Sequence, residues 1–167
     1  MYSHLFKAHA QILKAMAHPR RLEIIHLIRN QELFVSEIFA MLDLPQANVS
    51  QHLMILRQTG IVVAHKAGKQ VKYGLAHPNI LVASNQIRQF LLGQTKNQSL
   101  KKYLAQDIEN LMPVFTDPVC KMHLSHKTAA FVFKYQDHDY YFCASGCLKR
   151  FKQKPQNYVK TTERKPD

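Results

Sequence analysis

Cys120, Cys143 and Cys147 are the only cysteines in the chain, and they fall together near its C-terminal end at the spacing C-x22-C-x3-C. An odd number of thiols is a poor disulfide framework, so this stretch is not read as a disulfide-stapled fold. The opening residues Met1-Tyr2-Ser3-His4 show no basic region followed by an apolar one, so no secretory signal is expected. No apolar run approaches the ~18 residues that cross a bilayer. Reduced thiols in a cytoplasm, with no membrane partner, are the expectation. The chain is long enough for two small domains, each with its own core.

Charge narrows the partners. The formal net charge is +12. Residues 1–95 hold 10 Lys/Arg against 4 Asp/Glu, net +6, and residues 96–167 hold 13 against 7, also +6. Both parts suit a polyanion.

Apolar spacing over residues 4–16 predicts a first helix through Leu5, Phe6, Ile12 and Leu13. His18-Pro19 breaks it, and Pro19 suits the first turn of a second helix, Arg20 to Ile28, burying Leu22, Ile25, Leu27 and Ile28. A third helix is expected over 35–42, with Ser36 near its start, then a turn at Asp43-Leu44-Pro45. A fourth, 46–59, sets Val49, Leu53 and Leu56 on one side, with Gly60 just past its end. Short strands at 61–63 and 71–73 flank the basic loop Lys66-Ala67-Gly68-Lys69. A fifth helix spans 79–92, a linker 93–98, and a sixth helix 99–111. Paired strands at 129–135 and 140–142 around a turn at 136–139, then a helix at 145–152, complete the pattern. The fold class is mainly α with small β parts. Expected domains are 1–95, a linker helix within 96–115, a small α+β cysteine-containing domain over 116–160, and a polar, frayed tail at 161–167.

Two helices, a tight turn and a basic hairpin make a winged helix-turn-helix. On the fourth helix Gln46, Ala47, Asn48, Ser50, Gln51 and His52 face away from the apolar side. Gln and Asn can pair bidentately with adenine in the major groove. Arg57, His65, Lys66, Lys69 and Lys72 can reach phosphates. The segments Ala15-Met16-Ala17-His18-Pro19-Arg20-Arg21-Leu22 and Leu42 through Val62 resemble the ArsR-type (arsenic-repressor-like) winged-helix regulators over roughly residues 5–92. That resemblance implies a homodimer on a palindromic double-stranded DNA operator, usually as a repressor. It also implies an interface from the first and fifth helices, here Leu5, Ile12, Ile87, Phe90 and Leu91.

The chain departs from the family pattern. Pro45 stands where a capping Ser is usual, Ala47 replaces a common hydroxyl, and Gln51 stands where Arg is frequent. The family's effector positions are also altered. Phe34 and Ser36 replace the arsenic-sensing thiols, the fifth helix has no His, Asp or Glu, and the second and fifth helices lack cysteine. Sensing is therefore expected elsewhere.

Residues 117–158 resemble a YHS domain, related to TRASH-type metal-binding modules. The matching residues are Asp117-Pro118-Val119-Cys120-Lys121-Met122, Ala129-Ala130-Phe131, Tyr140-Tyr141-Phe142-Cys143, Cys147, Phe151, Pro155 and Tyr158. The commonest form has Gly where Lys121 stands. The resemblance implies soft-metal binding, and the residues support it independently. With a helix starting near Cys143, the thiols of Cys143 and Cys147 share one face, and Cys120 can fold back as a third sulfur. Three thiolates favour Cu(I), Ag(I) or Hg(II), with Zn(II) as the other candidate. Zinc wants a fourth ligand, for which His123, His126 and His138 are the candidates. A lone free cysteine is more often a small buried hydrophobe, but three at this spacing favour a metal. His4, His9, His18, His26 and His77 read as surface or packing residues.

The leading expectation is a dimeric DNA-binding regulator, responding to a soft metal through its C-terminal cysteines, with coupling carried by the 99–111 helix. One alternative is a thiol redox or sulfur-responsive regulator. Another is a metal carrier or interaction module on a winged-helix scaffold. No acid/base or nucleophile constellation points to an enzyme.

Overall fold

A computed structural model describes residues 2–159. They fall into two compact units, one ending at Met112 and one starting at Pro113. The expected frayed tail at 161–167 lies outside the described residues.

The first unit runs α1 (Tyr2–Met16), α2 (Pro19–Leu27), β1 (Leu33–Phe34), α3 (Val35–Leu42), α4 (Gln46–Gln58), β2 (Val62–Ala67), β3 (Gln70–Leu75), α5 (Asn79–Gln94), α6 (Gln98–Ala105) and α7 (Ile108–Leu111). Its core forms where α2, α3 and α4 pack together and α4 meets β2. Ile24, Ile25, Ile38, Val49, Leu56 and Ile61 are each fully buried there. Ile24 takes the core position expected of Leu22, which is only half-buried. Pro19 opens α2 as expected, and His18 is its cap: Nδ1 accepts the Arg20 N–H at 3.1 Å. Ser36 does not cap α3; Phe34 precedes the helix, and its N–H donates to the Glu37 carboxylate at 2.8 Å. Gly60 sits past α4 at φ +72°, a left-handed position that an L side chain fits poorly.

The antiparallel sheet has the order β1-β3-β2, with Leu33 opposite Tyr73 and Val62 opposite Leu75. The wing strands are longer than the sequence implies. Ala67 pairs with Gln70, so the turn is only Gly68-Lys69, and Lys66 and Ala67 belong to a strand. Gly68, at φ +62°, lets so short a turn close.

The expected helix over 99–111 is two helices. Gln106 ends α6 in extended backbone (φ −79°, ψ 149°), and Asp107 opens α7. The Arg88 guanidinium on α5 donates to the Leu104 and Gln106 carbonyls, which a continuous helix would have needed for itself. A single rigid rod from Ser99 to Leu111 is therefore ruled out as a coupling lever. The expected linker at 93–98 also shrinks, because α5 runs to Gln94 and Asn97 caps α6 by accepting the Leu100 N–H at 3.0 Å.

The second unit contains β4 (Phe115–Thr116), β5 (His123–Leu124), β6 (Phe131–Tyr135), β7 (His138–Phe142), α8 (Ser145–Gln153) and a 3-10 turn at Pro155–Asn157. The β6–β7 hairpin turns on two residues, Gln136 (φ 48°) and Asp137 (φ 62°), rather than the four expected. Two positive φ values are the mark of a type I′ turn, whose twist matches the strands. Phe151 on α8 is fully buried. Its ring lies 4.9 Å from Tyr140, 5.2 Å from Phe142 and 5.9 Å from Tyr135, centroid to centroid. Such ring pairs add about 0.5–1.5 kcal/mol each beyond area burial. A unit this short has little other core, which is the situation in which a bound metal contributes most to folding.

Candidate metal centre and nucleic-acid interface

The candidate metal centre is built from three short segments. The first is the turn Asp117-Pro118-Val119-Cys120. Asp117 is fully buried, and its Oδ1 accepts the N–H of Val119 at 2.9 Å and of Cys120 at 3.3 Å, an Asx turn that Pro118 pre-sets. Lys121 closes this turn at φ +65° and donates Nζ to the Pro118 carbonyl at 2.7 Å. A left-handed φ there gives a physical reason for glycine in the commonest form of the motif. The second segment is the end of β7, where the Cys143 N–H donates to Asp117 Oδ2 at 2.9 Å. The third is the first turn of α8, which carries Cys147.

Cys143 therefore precedes α8, which begins at Ser145, so the two thiols do not share a helix face as expected. They still converge. Cys143 Sγ lies 3.7 Å from Cys147 Sγ and 3.5 Å from Cys120 Sγ. Ligand atoms of Asp117, Cys120, Cys143 and Cys147 all fall within 4.8 Å of one another. Metal–sulfur bonds of ~2.3 Å at tetrahedral angles need sulfurs about 3.8 Å apart, so the thiols fit a soft ion with only small adjustment. His123, His126 and His138 lie outside this group. His126 instead packs against Phe115 and Tyr141, with centroids at 4.7 and 5.5 Å, and His138 Nδ1 sits 2.8 Å from the Gln136 carbonyl.

Burial pushes the Cys143 thiol far up, and hydrogen bonding to Asp117 and the neighbouring thiols adds to the shift. Burial likewise raises Cys147. Burial alone would raise Asp117, but the N–H groups of Cys143, Val119 and Cys120 outweigh it and hold the carboxyl below its ordinary value. Cys143 and Cys147 therefore hold their protons beside an ionised carboxylate. Asp117 was not among the expected ligands, although it opens the Asp117-Pro118-Val119-Cys120 segment that resembles the YHS domain.

The candidate nucleic-acid face is α4 and the β2–β3 wing. Gln46, Ala47, Asn48, Ser50, Gln51 and Arg57 are exposed, while Val49, Leu53 and Leu56 point into the core. Pro45 precedes α4 with no side-chain cap, as the missing hydroxyl implies. On the wing Lys66 and Lys69 are exposed. His65 pairs with Glu32, and Lys72 lies over the Phe34 ring at 4.9 Å, so both have partners within the domain. His52 is half-buried and packs on His18 at 4.6 Å. Burial lowers its pKa, and electrostatic repulsion from His18, Arg21 and Arg20 lowers it further. No local spacing announces that pair, because His18 and His52 meet only in the folded domain.

Two helices carry uncovered apolar surface. Leu5 is 64% exposed on α1, and on α5 Phe90 is 64% and Ile87 50% exposed; Leu91 is also exposed and Ile12 half-buried. His26 is a packing residue, 7% exposed, with Nε2 2.9 Å from Ser84 Oγ on α5.

Residues 18–63 match the family described as bacterial regulatory protein, arsR family, and residues 115–162 match the YHS domain. The uncharacterized HTH-type transcriptional regulator Rv0081 of Mycobacterium tuberculosis is 35% identical over 77 residues, 46% of this chain and 68% of that protein. The transcriptional repressor PagR of Bacillus anthracis is 38% identical over 72 residues, 42% of this chain and 72% of that protein. A solution structure from Mycobacterium bovis, titled as the homodimeric winged helix-turn-helix DNA-binding domain of Mb0332, superposes with TM-score 0.51 at 24% identity. It covers 57% of this chain and 87% of that one, and shows the shared winged-helix fold alone.

Proposed function

This chain belongs to the arsR family of bacterial regulatory proteins, transcriptional regulators rather than enzymes, and on that premise we propose a metal-responsive repressor. It acts as a cytoplasmic homodimer on a palindromic DNA operator. The observation that carries the reading is the meeting of Cys120, Cys143 and Cys147, with Sγ separations of 3.5 and 3.7 Å, in a chain that also carries a winged-helix unit.

Gln46, Ala47, Asn48, Ser50, Gln51 and His52 meet the major groove. Arg57, His65, Lys66, Lys69 and Lys72 meet phosphates, which makes affinity fall steeply with salt. The uncovered apolar residues of α1 and α5, Leu5 and Phe90 foremost, are the surface for a second copy. Cys120, Cys143 and Cys147 hold a soft ion: Cu(I), Ag(I) or Hg(II), or Zn(II). A bound ion supplies positive charge that stabilises the thiolates and ties the Asp117 turn, β7 and α8 into one node. Because Cys143 and Cys147 hold their protons, binding displaces them. Metal weakens operator binding, with a coupling of about 1–3 kcal/mol.

The test is equilibrium metal binding by the reduced full chain alongside binding to DNA from its own promoter. One ion per chain, lost in the Cys120/Cys143/Cys147→Ser variant, supports the reading; a chain that binds no soft ion refutes it. A second reading comes from the exposure of Cys120 next to Cys143, which permits a disulfide. An operator response to oxidant but to no ion would establish that reading instead.

A further inference from the structure

The four side chains that converge on the metal centre do not have equivalent roles, and the inference here rests on the metal-binding reading above. We infer that Asp117 is a positioning residue and not a ligand, so that the centre offers three sulfurs and no oxygen.

A carboxylate presents about four acceptor positions. At Asp117 three are taken by backbone N–H groups: Val119 and Cys120 on Oδ1, and Cys143 on Oδ2. The carboxylate also interacts with the Cys143 thiol. Two of these donors belong to ligand residues themselves. One carboxylate therefore fixes the backbone of Cys120 and the backbone of Cys143, from turn and strand, in a single register. The main chain of Asp117 reinforces the same turn: its N–H donates to Met122 and its carbonyl accepts from Lys121, both at 2.9 Å.

Asp117 is itself fully buried, and turning its carboxylate toward an ion would strip three N–H groups of their acceptor, which is costly wherever water does not replace it. It would also add a fourth anion to three thiolates, which a monovalent ion has no charge to balance. The histidines offer no replacement, since none joins the cluster. Three sulfurs without a fourth protein ligand suit ions stable at coordination number three, and leave Zn(II), which prefers four, at a disadvantage.

The experiment is X-ray absorption on the reduced full chain carrying one equivalent of Cu(I), in wild type and Asp117→Asn, with affinities set by chelator competition. Asparagine is nearly isosteric but turns an N–H donor toward one of the donating backbone groups, loosening the turn or strand without removing a sulfur. Expected are three sulfur neighbours and no oxygen or nitrogen neighbour in both proteins, with Cu(I) held about 10–100-fold more weakly by the variant. An oxygen or nitrogen neighbour in wild type overturns the inference, whether or not the variant loses it. Unchanged Cu(I) affinity in the variant also overturns it. The wild-type spectrum decides the coordination even if Asp117→Asn does not fold. Wild type that binds no Cu(I) refutes the metal reading itself, a different result from binding through sulfur plus oxygen.

Discussion

The two units achieve order by different means. The winged-helix unit is held by aliphatic side chains at helical intervals: Val49, Leu53 and Leu56 from α4 meet Ile24, Ile25 and Ile38. The cysteine unit centres on one phenylalanine ringed by aromatics and on one buried carboxylate that binds three backbone N–H groups. The first spreads its stability over many methyl groups. The second concentrates it in Phe151, Asp117 and three thiols, so a single substitution or a single ion has leverage there. Leverage of that kind is what a sensing element needs.

The largest expected effect tests this contrast at its centre. Phe151→Ala removes a fully buried ring and costs about 3–5 kcal/mol, comparable to the whole stability of so small a unit. Metal binding should disappear while promoter DNA binding stays; metal affinity within twofold of wild type would break the contrast. Leu53→Ala makes the mirror-image change, with a loss of roughly 2–5 kcal/mol in denaturant unfolding of the first unit. DNA binding should fall and metal affinity should not.

Acid separates the units next. His26 is buried, and with Arg29 and Arg88 nearby its pKa falls from 6.5 to about 4. Above pH 6.5 the residue is neutral whether folded or unfolded and has no effect. Between pH 6.5 and 4 only the unfolded chain takes the proton, so stability drains away as pH falls, by up to about 3 kcal/mol. His26→Gln should flatten that slope in the first unit. The cysteine unit responds to pH through its ion instead. Cys143 and Cys147 hold their protons, so metal affinity should rise with pH by roughly tenfold per unit for each proton displaced. Affinity independent of pH would contradict that protonation state.

The smallest effect is local. Lys121→Gly relieves a left-handed φ of +65° and should stabilise the cysteine unit by up to about 1 kcal/mol in thermal melts, offset in part by the lost bond from Nζ to Pro118.

What the sequence revealed follows the same division. Helix α4 was legible almost residue by residue, because a 3.6-residue period, a preceding proline and a following glycine agree. The break at Gln106 was not, because it depends on Arg88, a residue distant in sequence that takes the Leu104 and Gln106 carbonyls. At the metal centre, spacing identified the three thiols but placed Cys143 in a helix that it only precedes. Asp117 was missed because its function lies in three hydrogen bonds to backbone, and backbone partners leave no mark on residue type. The His18–His52 stack was hidden for the same reason of distance.

On the proposed reading, the thiols of one unit govern DNA binding by the other. The most direct test is the affinity of the reduced protein for its own promoter DNA, at fixed salt, with and without one equivalent of Cu(I), in wild type and in the Cys120/Cys143/Cys147→Ser variant. The ion is expected to weaken wild-type binding by about 5–150-fold and to leave the variant unchanged. Equal affinity with and without the ion in wild type, under conditions where the ion is bound, would contradict it.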